Sequence, residues 1–214
     1  MNATHAIDLR IQAEHAWLDA SLHTFAASRG LILLPALTPA DDAVPDLRPA
    51  LQARGFDTLR VSLLDARQVA HAADLRYDIA LLDLRLRAVL EWARHQPDLE
   101  RHGVGVLAGD TPAAAAIRVL AREPERASAL VAYDGRPELA GAVPLRTLAS
   151  PTLFLLPADA PARLDASRPA RALLATRHAW HETLAADIGA GPANAAATDE
   201  ACAWFATHLG APPP

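Results

Sequence analysis

The chain has 214 residues, 51% hydrophobic and 21% charged, with a formal net charge of −5. That length suits one α/β domain able to bury roughly 70% of its unfolded surface, and the acidic balance leaves no electrostatic footprint for nucleic acid or an anionic membrane. All 20 basic residues are arginine, which excludes Schiff-base lysine chemistry and a P-loop; the coding bias of a GC-rich genome accounts for that usage.

The single cysteine, Cys202, permits no internal disulfide. The N-terminal stretch is polar, and no apolar run approaches the ~20 residues that span a bilayer. The expectation is one domain over residues 1–214 in a bacterial cytoplasm, with 210–214 as a frayed tail.

In chain order, Ile7 to Gln12 and Trp17 to Phe25 predict two antiparallel strands, because Leu18, Ala20 and Leu22 alternate with Asp19, Ser21 and His23. The continuous apolar run after Gly30, LILLPAL, is the mark of a strand covered on both faces. Leu47 to Arg54 predicts a short helix closed by Gly55, and Asp57 opens the next strand. Asp65 to Tyr77 reads as a polar connection. The longest helix is predicted from Asp78 to His95, where Ile79, Leu82, Leu86, Val89, Leu90 and Ala93 make one stripe and Pro97 stops it.

Gly103 to Arg122 follows as a buried strand, a tight turn at Gly109-Asp110-Thr111, and a helix. Strands are then expected at Ala127 to Ala132, through PTLFLLP, and at Ala179 to Leu184. Helices are expected at Arg163 to Ala175 and Ala193 to His208. Strands alternating with helices imply βαβ units, a mostly parallel sheet and right-handed crossovers. Only Asp134 to Ser150 separates two core strands, which leaves no room for a substantial lid.

Read together, GLILLPALTPADD, LRYDIALLDLRLRAVLEWARHQPD, VGVLAGDTPAAAA, DGRPELAG with SPTLFLLPAD, and the closing AWFATHL resemble the α/β-hydrolase superfamily. Within it they resemble the small lidless dienelactone-hydrolase-like proteins. The resemblance implies a mostly parallel sheet with helices on both faces, and a nucleophile, an acid and a histidine on loops at the carboxyl ends of strands, in that chain order. The nucleophile slot, in the pattern G-x-S-x-G, holds Asp110; the acid slot holds Asp159; the histidine slot holds Asp187. The glycine-rich oxyanion loop is replaced by Pro35-Ala36-Leu37-Thr38-Pro39. Ala36 and Leu37 of that segment and Thr111 after the elbow are the candidate binding residues. Three of the four catalytic features have gone together, which implies a catalytically degenerate protein with a binding or partner-interaction role. Members of this subfamily often sit beside or fused to phosphoribosyltransferase domains, so a protein partner is implied alongside a small-molecule ligand, with a homodimer also open.

Two readings of Asp110 compete. As a carboxylate nucleophile it would make the chain a hydrolase of a small ester, lactone or halide, but the resulting ester still needs a base to activate water. As an N-cap before Thr111 and Pro112 it would simply start a helix, and the helix-start pattern favours that reading. Asp159 is balanced between a surviving acid and a turn residue between prolines. Convergence of Asp110, Asp159 and Asp187 would invite a divalent cation, yet nothing in their spacing assigns a metal or cofactor. His178 and His181 precede the expected histidine loop and read as packed or edge residues. Cys202 and Trp92 read as core.

Overall fold

In the computed structural model the described residues are 4–13, 15–40, 46–97, 99, 103–158, 160–174, 178–183 and 195–209. The strands are β1 (Thr4–Ala13), β2 (Ala16–Phe25), β3 (Leu31–Ala36), β4 (Asp57–Ser62), β5 (Val104–Gly109), β6 (Ala129–Gly135), β7 (Thr152–Pro157) and β8 (Ala179–Thr183). They form one sheet in the order β1-β2-β4-β3-β5-β6-β7-β8. β1, β2 and β4 pair antiparallel in sequence, and every pairing from β4 through β3 to β8 is parallel.

Alternation within the central strands decides which helices cover which face. Leu31 and Leu33 of β3, Val106 and Ala108 of β5, and Leu130 and Ala132 of β6 face one core. That core is closed by α3 (Ile79–Arg94) and α4 (Asp110–Arg122). The intervening Ile32, Leu107, Val131 and Tyr133 face the other, closed by α1 (Arg48–Ala53) and α7 (Ala195–His208), with Leu51, Cys202 and Phe205 fully buried. Continuous apolar strands follow directly from being covered on both sides. Leu18 and Ala20 of β2 face only the α3 side, which explains the period-two pattern there.

The segment expected as a plain connection, 65–77, contains α2 (Ala66–His71) and a 3₁₀ turn, Ala73–Tyr77. α2 buries no residue, so it has no apolar stripe to betray it. A capping box makes it instead: Asp65 accepts from the N–H groups of Arg67 and Gln68, and the Gln68 side chain returns to the Asp65 N–H at 3.1 Å. α5 (Ala142–Thr147) and α6 (Pro161–Arg171) complete the α-helices among the described residues. β6 begins two residues later than expected and extends to Gly135, which brings Asp134 to the strand's carboxyl end.

The two helices of the first face are tied together by charge as well as packing. Asp83 on α3, buried, accepts from Arg122 on α4 at 2.5 and 2.6 Å, with Arg118 at 3.8 Å. Both partners are side chains of the next long helix.

Candidate functional site

β5 stands between β3 and β6, so the carboxyl ends of these three strands make one shelf. Asp110 occupies its centre. The helix that it opens is capped by the extended Gly109, at φ −108 and ψ 174, with no side-chain cap hydrogen bond. The N-cap expectation for Asp110 is therefore corrected: Asp110 is the first helical residue, and its own φ is +39. A non-glycine residue in the left-handed region carries a conformational cost, smaller for Asp than for most. The sharp strand-to-helix elbow exists despite Pro112, because proline at an early helical position lacks only an N–H that would go unpaired anyway.

Neighbouring strands fix the elbow. The Asp110 carbonyl accepts from the Arg136 N–H at 3.2 Å, and Asp110 bridges to Gly135. A Cβ on Gly135 would come within 2.7 Å of the Ala113 methyl, so glycine is what lets α4 lie this close to β6. On the other side, the Ala36 and Leu37 carbonyls accept from the Leu63 and Leu64 N–H groups at 2.8 and 2.7 Å. The loop after β3 is thus pinned to the segment after β4. Ala36, Leu37 and Thr111 are all buried, and the Thr111 Oγ1 has no hydrogen-bond partner among the described residues.

Asp134, at the end of β6, is the residue that the sequence reading missed. Its φ is +48, so a second aspartate beside the elbow holds the left-handed conformation. Arg163 on α6 donates to its carboxylate at 2.7 Å and to its carbonyl at 3.2 Å. Burial pushes the Asp134 carboxyl up from its ordinary value; Arg163 opposes that shift and the nearby Asp110 charge adds to it. Beyond it, Arg136 pairs with Glu138 at 3.0 Å and lies 6.0 Å over the Tyr77 ring. Arg136, Glu138, Pro161 and Arg163 border a groove of about 480 Å³. No local pattern announces Asp134; only its strand's place next to β5 does.

The two remaining slots, Asp159 and Asp187, lie outside the described residues. Neither candidate histidine belongs to the shelf. The His178 Nε2 contacts the Leu148 carbonyl at 3.2 Å, beside the amino end of β7, opposite the elbow. His181 pairs with Glu200 on α7. Cys202 is wholly buried, and burial raises its thiol, as a core residue requires. Among the described residues, no group of three His, Cys, Asp or Glu side chains is placed to hold a metal, and no helix is long and apolar enough to cross a membrane.

This sheet order, with a strained strand-to-helix elbow at the central strand and helices on both faces, defines the α/β-hydrolase fold. Solved dienelactone hydrolases are similar to it in fold. The dienelactone hydrolase of Anabaena variabilis superposes with a TM-score of 0.85 over 97% of this chain and 99% of its own, at 24% identity. A dienelactone hydrolase-like promiscuous phosphotriesterase from metagenomic libraries gives 0.67 over 97% and 100%, at 19% identity. A Pyrococcus furiosus esterase gives 0.68 over 96% and 93%, at 11% identity. At such identities the likeness is one of fold. No family model matches the chain. Two Mycobacterium tuberculosis proteins that carry the provisional description phosphoribosyl transferase are 31% identical over 174 residues, 77% of this chain. The chain spans only 37% of their length.

Proposed function

We propose that this is a hydrolase-fold protein without acyl-cleaving activity, serving as a binding module whose ligand seat is the shelf around Asp110. The observation that supports the reading is the elbow itself: Asp110 takes a positive φ at a sharp strand-to-helix turn, and it presents a carboxylate beside a second carboxylate, Asp134. An alkyl ester formed on a carboxylate is not hydrolysed without a base to activate water, and no histidine lies between His181 and His208 in the sequence. Proline at position 35, near the end of β3, and at position 39, in the segment after it, removes two N–H donors there.

A partner with phosphoribosyl transferase activity is the companion that the likeness supports, because the mycobacterial relatives extend well beyond the part matched here. Mixing this chain with the unmatched portion of such a relative and following their elution tests that companion. Co-elution is expected, and independent elution removes it from the proposal.

A second reading is favoured by one observation. Asp110 retains φ +39 without acting as a cap, and strain of that kind is often kept for chemistry. Attack of its carboxylate on an alkyl halide would expel halide and leave an alkyl ester on Asp110. With no base to hydrolyse it, that ester would accumulate. Intact-mass measurement after incubation with haloalkanes separates the two readings. An unmodified mass is expected, whereas an alkyl adduct lost in Asp110→Ala establishes the nucleophile.

A further inference from the structure

β1 is an edge strand, paired among the described residues only to β2 over its full ten-residue length. A long unprotected edge is a template for another strand, and folded proteins normally blunt it. Here the side chains along it are self-complementary. We infer that two copies of this chain join β1 to β1 antiparallel, around a two-fold axis through Leu9, making one continuous sheet. This inference is independent of the role proposed for Asp110.

The backbone restricts the register first. Ala13 pairs with Ala16 across a two-residue connection, which closes on a hydrogen-bonded pair. Counting back in twos, residues 13, 11, 9 and 7 spend their N–H and C=O groups on β2. Those of Ala6, Asp8, Arg10 and Gln12 point to the open edge. A two-fold pairing must therefore match even-numbered residues with one another.

Charge then chooses among the three registers centred on the middle of the strand, at Asp8, Leu9 and Arg10. Centring the axis on Asp8 sets Asp8 against its own copy, and centring it on Arg10 sets arginine against arginine. Like charges directly opposite are unfavourable. Centring on Leu9 sets each Asp8 against the partner's Arg10, and Ala6 against the partner's Gln12, with about eight backbone hydrogen bonds. Asp8 and Arg10 are both exposed in the single chain. Arg10 lies across from Asp19 on β2 and Asp8 from Ser21, so the added pairs would extend a row of alternating charge.

The opposite face agrees. Ile7 is 52% exposed, one of the few large apolar side chains left in solvent. The Leu9 register sets it against the partner's Ile11, which belongs to the α3-side core, and sets Leu9 against its copy. Apolar groups would thus meet on the helix-covered face and charges on the open one. Each residue contacts the partner of its partner, as an isologous interface requires.

The test is a charge swap read by sedimentation equilibrium, with melting temperatures confirming that each variant is folded. Wild type is expected at twice the 22.7 kDa chain mass. Asp8→Arg and Arg10→Asp are each expected at the single-chain mass, and the double swap at the doubled mass again. Ala6→Pro removes an N–H that β2 does not use, and is expected to give the single-chain mass with the hairpin intact. A wild type of single mass overturns the inference. A dimer that survives the single swaps and Ala6→Pro places the interface elsewhere, and failure of the double swap to restore it refutes the Leu9 register.

Discussion

Asp110 offers a stability measurement whose sign reverses the usual helix rule. In an ordinary helical position alanine is favoured over glycine by up to about 1 kcal/mol. At φ +39 the Cβ is crowded against the backbone, a cost of roughly 1–2 kcal/mol that glycine avoids. Asp110→Gly and Asp110→Ala remove the same charge and the same repulsion with Asp134, so their difference isolates the backbone. The first helical residue feels only part of the propensity penalty, because its N–H is unpaired in either case. Glycine should therefore exceed alanine by about 0.5–1 kcal/mol in urea unfolding, or roughly 2–4 °C in melting temperature for each kcal/mol at this chain length. An alanine variant equal to or more stable than the glycine one would show that no strained elbow exists, and the likeness of Asp110 to a nucleophile position would fall with it.

Other consequences are as direct. The Asp134 carboxyl is raised by burial, so relative to Asp134→Asn the wild type should gain stability as pH falls from neutral toward the ordinary carboxylate range, and lose that advantage as pH rises through the raised value; denaturant midpoints across pH check it. Because Asp110 adds to the rise, Asp110→Asn should move the carbon-13 titration of the Asp134 carboxyl to lower pH. Gly105→Ala places a methyl 2.7 Å from the Phe205 ring and 3.0 Å from the Ile32 Cδ1, and should cost about 1–3 kcal/mol in urea melts, with part recovered on adding Phe205→Leu. Asp83→Ala breaks the link between α3 and α4; with Arg122 half in solvent the loss should stay near 1–2 kcal/mol by the same assay.

Much of the architecture was legible because each central strand is sandwiched and the longest helix carries one stripe. LILLPA and TLFLLP are apolar throughout, and Ile79 to Ala93 repeat at helical spacing. α2 escaped because it buries no residue, Val69 alone among its side chains resting partly against the core, and its start is written only in the Asp65–Gln68 capping box. At the site, Asp-Thr-Pro carries a genuine helix-start signal, and the error lay one residue away: Gly109 takes the cap position, which throws Asp110 into the left-handed region. Local sequence cannot make that distinction, because it depends on β6 gripping the Asp110 carbonyl through Arg136. Asp134 was invisible for a related reason. Its meaning comes from the strand order and from Arg163 reaching back from α6, some 30 residues later.

The claim that the hydrolase architecture persists here without acyl cleavage is tested most directly by comparing wild type and Asp110→Ala on p-nitrophenyl acetate at equal concentration. A functional triad and oxyanion hole act over several orders of magnitude, so even a weak enzyme would separate the two proteins. The account predicts release of p-nitrophenol at the same background rate from both; turnover by wild type that disappears in Asp110→Ala would contradict it.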